Sequence, residues 1–325
     1  MRLDPTGAIL GGGLKILVSR PVVSVIMATY NRSQVMACAI QSLERSSFAD
    51  WELIVVGDAC TDDTREVVAS FAEPRIRFVD LERNTGEQSG PNNEGFRHSR
   101  GSYVAYLNHD DLWLADHLET AVEGIESSGA DLVFTLALSM GADGTRFLFG
   151  ATSSGRYEPH MSVPASTWLM RRETVESVGP WRYFREIYNV PSQDWLFRAW
   201  KAGKSMRLLP RLTVVALPSG SRLRSYVQRE SLDHRVMAER ILREPDFREL
   251  ELTQLALRYA SRAEEPTFAR NAARATYGLL AKLCLAMGIH PRAAMNLVAH
   301  RRKGGAIDRK RRIRGLEDIA RKAGL

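Results

Sequence analysis

Two adjacent carboxylates, Asp110 and Asp111, follow an apolar run of strand length, Tyr103-Val-Ala-Tyr-Leu107, with Asn108 and His109 between. Carboxylate and amide oxygens at the abrupt polar end of a buried strand suit a hard divalent cation and an anionic ligand. In open α/β sheets ligands bind in the crevice outside the carboxyl ends of the strands, which makes Asp110 the metal-ligand candidate. Asp and Asn are also ordinary turn and capping residues, and Asp111 could instead cap a helix running from Leu112. What decides between site and turn is what the other strands bring to the same edge.

The elements that must position these residues alternate. Val22-Val-Ser-Val-Ile-Met-Ala28 is a nearly continuous apolar run suited to a central parallel strand, and Thr29-Tyr30-Asn31-Arg32 is its polar end. Val35, Met36, Ala39, Ile40 and Leu43 then recur at helical spacing. Trp51 to Val56 is the next strand, stopping in Gly57-Asp58-Ala59-Cys60-Thr61-Asp62-Asp63-Thr64. Thr61 or Asp63 can cap the helix carrying Val67, Val68 and Phe71, with Glu66 closing a capping box on Asp63. A third strand over 75–81, a polar glycine-bearing stretch and a helix lead through Gly101 into the strand that delivers Asn108 to Asp111. This βαβ pattern predicts a mostly parallel sheet whose carboxyl edge collects Thr29, Asp58, Asn84 and Asp110.

After a predicted helix over 112–125, a strand over 131–138 forms a hairpin with 146–149 through the turn at 142–145. Gln193-Asp194-Trp195 opens a helix that runs to Gly203. Asp194 at its start is also what the helix dipole favours, with no functional role required. Beyond Ser225 the chain reads as helices broken near Pro245, Pro266, Pro291 and Gly304-Gly305. The expected organisation is an N-terminal arm over 1–21, an α/β domain over 22–225 and a helical region over 226–325.

Composition narrows the class. A chain of 325 residues, 44% hydrophobic and 26% charged, is globular, neither disordered nor fibrous. Its 3 cysteines are far apart and contain no CxxC pair, so neither a disulfide framework nor a thiolate zinc site is expected, and a reducing cytoplasm fits. No apolar run reaches the roughly eighteen residues needed to cross a bilayer, and the first twenty residues lack the pattern of a signal peptide. The net charge of +7 is local: from Ala299 onward ten Lys or Arg face three acids. That tail is either a solvated charge run or a surface for an anionic bilayer. Nucleic-acid binding is not expected, because no aromatic residue is interleaved with the cations.

Four pieces in order, Ser24-Val-Ile-Met-Ala-Thr-Tyr-Asn-Arg32, Val56-Gly-Asp-Ala-Cys-Thr-Asp-Asp-Thr64, Asn93-Glu-Gly95 leading to Gly101-Ser-Tyr-Val-Ala-Tyr-Leu-Asn-His-Asp-Asp-Leu-Trp113, and Gln193-Asp194-Trp195, resemble the GT-A nucleotide-sugar-binding domain of family 2 glycosyltransferases. The resemblance covers about residues 22–216. It implies an inverting glycosyltransferase that moves a sugar from a nucleotide-diphospho-sugar, a UDP-sugar being favoured, to an acceptor hydroxyl on a saccharide or lipid-linked saccharide in polysaccharide or glycoconjugate assembly. Thr29, Tyr30 and Arg32 would line the nucleotide pocket and Asp58 would accept a hydrogen bond from the base. Asp110 would hold Mn²⁺ or Mg²⁺ at the donor diphosphate, with Asn108 and Asp111 beside it, Asn93 would belong to the substrate site, and Asp194 would be the general base. The implied location is the cytoplasm, with the tail able to bring the protein to the inner face of the cell membrane.

The chain departs from the family pattern at Gly57, Asn92 and Gln193, and at Asn108, which removes a negative charge from the cation site. Those departures motivate an alternative, a non-catalytic nucleotide-sugar-binding or partner module on the same fold. A nucleotidyltransferase would want a glycine-rich basic loop after the first strand, and Thr29-Tyr30-Asn31-Arg32 is not one. His234 is a further candidate metal ligand, and a lone helical His is more often structural.

Overall fold

A computed structural model describes residues 20–141, 143–218, 224–228, 231–261 and 268–316. The expected arm up to residue 19, Ala142 of the hairpin turn, and Arg321 and Lys322 of the basic tail lie outside the described residues. The first half alternates: β1 (Val23–Thr29), α1 (Ser33–Glu44), β2 (Trp51–Gly57), α2 (Thr64–Ser70), β3 (Ile76–Asp80), α3 (Ser89–His98) and β4 (Tyr103–Tyr106). Then come β5 (Asp111–Trp113), α4 (His117–Ser128), β6 (Leu132–Met140), β7 (Arg146–Phe149), β8 (Trp168–Arg171), α5 (Arg172–Val178), α6 (Pro191–Lys201) and β9 (Met206–Ala216). Helices α7 (Ser225–Gln228), α8 (Leu232–Arg243), α9 (Phe247–Ser261), α10 (Phe268–Ala286), α11 (Pro291–His300) and α12 (Gly305–Arg314) complete the described chain.

The strands form one sheet in the order β3-β2-β1-β4-β8-β6-β9-β5, with β7 on β6. The half built from β1 to β4 is parallel. Strand β8 enters antiparallel between β4 and β6, so the whole sheet is mixed. Central strands are buried on both faces, as their continuous apolar runs require. Val25 and Met27 of β1 pack with Met36, Ile40 and Leu43 of α1 on one face. Ile26 packs on the other with Tyr106, Trp168, Trp181 and Trp195.

Three local expectations are corrected by long-range contacts. Residues 111–113 are not the start of a helix: they pair antiparallel with β9, and the helix begins at His117. The capping box on Asp63 is absent, because Asp62 Oδ1 accepts from the Thr64 amide at 3.2 Å while Asp63 accepts from Ser33 Oγ at 2.6 Å. The helix bearing Asp194 starts two residues earlier than expected, at Pro191, whose fixed φ and missing N–H suit a first turn.

The C-terminal helices attach through both core and charge. Met237, Ala238, Phe247 and Leu255 share a cluster with Leu112, Leu138 and Val215. Glu251, fully buried on α9, accepts from Arg146 of β7 at 2.8 Å and from Arg240 of α8 at 3.0 Å. At the amino edge of the sheet, buried Glu52 accepts from Ser24 Oγ at 2.7 Å and the Arg100 amide at 2.7 Å, and pairs with Arg77 at 2.9 Å. Burial pushes its carboxyl up, but these bonds together hold it below the ordinary value of 4.5. A folded-state acid with a depressed pKa contributes stability above its unfolded pKa that is lost as pH falls. Glu52→Gln is expected to lower unfolding stability by about 1–3 kcal/mol at neutral pH, and the gap to wild type should close as urea titrations move below pH 4.5.

Candidate functional site

The carboxyl ends of β1, β2 and β4 open on a cleft of about 520 Å³, and Thr29, Tyr30, Asp58, Asn84, Asn108 and Asp110 all line it. Four separate strand ends thus deliver the polar residues that the alternation predicts for one edge. The turn that carries Asp110 is held from both sides. Leu107 continues the pairing with β1, its amide donating to the Ile26 carbonyl at 3.0 Å, and the Asp110 carbonyl accepts from the Leu217 amide at 3.3 Å.

Asp111 is turned away from the cleft and is not a wall residue. It is buried, accepting from Ser166 Oγ at 2.5 Å and from Asn108 Nδ2 at 2.8 Å. Ser166 Oγ also accepts from the Asn108 amide at 3.0 Å, and its carbonyl accepts from Trp113 Nε1 at 2.8 Å. Burial first, and then the neighbouring Asp110 charge, push the Asp111 carboxyl well above the usual range against those two hydrogen bonds. With Asn108 Nδ2 committed to Asp111, its carbonyl oxygen and the Asp110 carboxylate are the oxygens this turn offers. His109 is no competitor: Nδ1 lies 3.1 Å from the Ala28 carbonyl, Nε2 lies 3.4 Å from the Tyr226 hydroxyl, and burial holds the ring neutral by lowering its pKa.

Asp58 organises the wall above β2. Its Oδ1 accepts from the Thr85 amide at 2.7 Å and Thr85 Oγ1 at 2.9 Å, and its Oδ2 accepts from the Gly86 amide at 3.0 Å. A carboxylate offers about four lone-pair sites, so Oδ2 keeps capacity for one more donor. Gly86 has φ +83°, a left-handed conformation that a glycine adopts without strain. Glu87, which residue spacing alone does not single out, lines the same wall. Burial pushes its carboxyl up to about 7 against two bonds from Ser89 to its Oε2.

Four further candidates, Arg32, Asn93, Asp194 and His234, have structural contacts instead of a place on the wall. Arg32 is buried, with its guanidinium 5.4 Å from the Tyr226 ring centroid. Asn93 is locked in a reciprocal pair with Trp181, donating to its carbonyl at 2.9 Å and accepting from its amide at 2.8 Å. That pair fixes the segment which brings Tyr183 and Arg185 to the cleft. His234 is fully buried on α8, which packs on α1, and is absent from the cleft lining. Asp194 sits one turn along α6 from Pro191, a lining residue, and pairs with Arg198 at 3.1 Å and Arg182 at 4.0 Å.

The C-terminal helices also reach the site, which residue texture did not predict. Tyr226 of α7 stacks on Tyr30 with centroids 6.4 Å apart, and Lys310, Arg311 and Arg314 of α12 line the cleft. Among the described residues no helix is long and apolar enough to cross a membrane, and no group of three or more His, Cys, Asp or Glu could hold a metal ion by itself.

Residues 24–177 match the family model described as Glycosyl transferase family 2. The chain is 34% identical over 101 residues to a UDP-Glc:alpha-D-GlcNAc-diphosphoundecaprenol beta-1,3-glucosyltransferase of Escherichia coli, covering 31% of this chain and 40% of that protein. It is 34% identical over 128 residues to a putative teichuronic acid biosynthesis glycosyltransferase of Bacillus subtilis, covering 39% of this chain and 50% of the relative. The chain therefore spans half or less of the length of these relatives. Among solved structures it resembles S. aureus TarS in complex with UDP-GlcNAc, with a TM-score of 0.51, 21% identity and coverage of 60% of this chain and 58% of that one. A mannosyltransferase of Pyrobaculum calidifontis in complex with GDP-Man and Mn²⁺ aligns over 86% of this chain and 87% of its own, at 20% identity and a TM-score of 0.51. These structural likenesses establish a GT-A fold.

Proposed function

We propose, for a chain that carries a glycosyl transferase family 2 domain over residues 24–177, that the cleft binds a nucleotide-diphospho-sugar and transfers its sugar to an acceptor hydroxyl with inversion. The observation that carries this reading is the meeting of Tyr30, Asp58 and Asp110, from three parallel strand ends, around one cleft. Asp58 keeps a lone pair for a base N–H, which suits uracil, and Tyr30 offers an aromatic face beside it. A UDP-sugar is accordingly the favoured donor.

The residues present fit a hard divalent cation. Asp110 and Asn108 offer oxygen donors side by side, and Mg²⁺ or Mn²⁺ in such sites takes one or two protein oxygens and completes its shell with phosphates and water. A cation held there supplies charge neutralisation on the departing diphosphate. Asp194 takes the proton of the attacking hydroxyl, and its pairing with Arg198 fixes the carboxylate's direction. The anomeric carbon is approached from the face opposite the leaving group, so the configuration inverts.

The acceptor is a saccharide or a lipid-linked saccharide, the class named for the Escherichia coli relative, and the setting is polysaccharide or glycoconjugate assembly. A cytoplasmic location with peripheral contact at an anionic membrane fits the outer face of the C-terminal helices. Leu279, Leu280 and Leu283 of α10, Met287 just after it, and Met295 and Val298 of α11 are each more than half exposed, and the exposed Arg301 and Lys303 follow α11 in the chain. Apolar side chains rimmed by cations suit an anionic bilayer surface. Co-sedimentation with anionic vesicles is expected to fall with salt and to fall again when Arg301→Gln and Lys303→Gln are combined. Binding indifferent to both would exclude this contact.

Departures at Gly57 and Asn108 keep a non-catalytic binding module as the competing reading, and turnover separates the two. Release of nucleoside diphosphate from UDP-sugars should be detectable with Mn²⁺. Asp194→Asn should lower kcat roughly 10²–10⁴-fold while donor binding is retained. Asp110→Asn should weaken donor binding in Mn²⁺. Donor binding without any release of nucleoside diphosphate would favour the binding module.

A further inference from the structure

Part of the basic tail faces the cleft, where composition alone suggested solvent or lipid. Ile307, Lys310, Arg311 and Arg314 follow the i, i+3, i+4, i+7 spacing of one face of α12, and all line the cavity that Tyr30, Asp58 and Asp110 line. The helix is anchored there at both ends. The Gly304 amide donates to the Ile187 carbonyl at 2.9 Å, and the Ile313 carbonyl accepts from the Arg224 amide at 2.8 Å. Gly304 combines φ +77° with so close an approach that a Cβ would lie 3.0 Å from the Phe184 ring. Arg311 lies over that same ring at 5.8 Å and against the backbone of Gly86, beside Asp58.

The charge pattern points to an anion. Lys310, Arg311, Arg314 and Arg185 line the cleft against three carboxylates, Asp58, Glu87 and Asp110. Asp58 is already engaged by Thr85 and Gly86. The Nε atoms of Arg311 and Arg314 are buried without a hydrogen-bond partner among the described residues. Buried donors without partners are costly, and guanidinium groups match phosphate oxygens in both charge and geometry.

We infer that α12 is part of the donor site, with Lys310, Arg311 and Arg314 holding the diphosphate of the nucleotide-sugar. This rests on the reading of the cleft as a donor site. As the anomeric carbon–oxygen bond breaks, its electron pair stays on the phosphate oxygen, where the three cations face the growing charge. The acceptor oxygen forms the new bond to the anomeric carbon and its proton passes to Asp194. Fixed cations aimed at developing charge need no reorganisation during the reaction. They also offset the carboxylate that Asn108 removes from the motif, so diphosphate binding persists without a divalent ion.

Calorimetric titration tests this with UDP and GDP, each beside its nucleoside, in EDTA and in Mn²⁺. Wild type is expected to bind one diphosphate in EDTA more tightly than its nucleoside. Combining Arg311→Gln and Arg314→Gln should weaken that diphosphate by at least about tenfold for each lost contact and leave the nucleoside unchanged, and the corresponding Lys pair should recover part of the loss. In wild type alone, diphosphate affinity in EDTA should fall with salt while nucleoside affinity does not. A Gln pair that binds the diphosphate as wild type does, or a wild type whose diphosphate affinity ignores salt in EDTA, overturns the role of α12 while Mn²⁺-dependent binding leaves the donor site standing. Failure of both nucleotides under every condition overturns the donor site as well.

Discussion

The buried carboxylate of Asp111 is the constraint on which the site depends. One oxygen accepts from Ser166 and from Asn108, and Ser166 in turn accepts from the Asn108 backbone. These contacts fold residues 108–111 into a single rigid turn between β4, which pairs with β1, and β5, which pairs with β9. Without them the turn would present two like charges to the same space, an arrangement that raises the pKa of one member. With them, one carboxylate is sequestered as structure and the other, Asp110, lines the cleft. Adjacent acids of identical type thus take different duties because one is buried and hydrogen-bonded.

The C-terminal region completes this arrangement. Glu251 binds α8, α9 and β7 together, and the apolar cluster containing Phe247 and Leu255 reaches Leu112 of β5. Tyr226 then covers Tyr30, Arg32 and His109. Helix α12 brings cations to a wall whose strand-end residues are mostly acidic or neutral. A cleft built only from the sheet edge would carry Asp58 and Asp110 with little to receive a diphosphate other than a metal ion.

Much of this was legible in the residues. The apolar runs of β1, β2 and β4 and the helical spacing of α1 mark real elements because both depend on local burial patterns. The polar strand ends identify Thr29, Asp58, Asn84 and Asp110 as neighbours because a parallel sheet aligns its carboxyl ends. What remained hidden involves distant partners. The segment 111–113 is a strand because of β9, about a hundred residues later, and Asp63 serves Ser33 instead of its own helix. Spacing put Arg32, Asn93 and Asp111 near the edge but carried no information on which way each side chain points. The docking of α12 depends on Gly304 fitting against Phe184 and Ile187, a contact that a count of basic residues cannot express.

The most direct measurement is a crystal structure with UDP and Mn²⁺, using the anomalous signal of manganese to locate the ion. The expected result is an anomalous peak within coordination distance of Asp110, the uracil beside Tyr30 and Asp58, and the diphosphate between Asp110 and the cations of α12. Density for UDP elsewhere, or a diphosphate in this cleft that touches neither Asp110 nor α12, would contradict it.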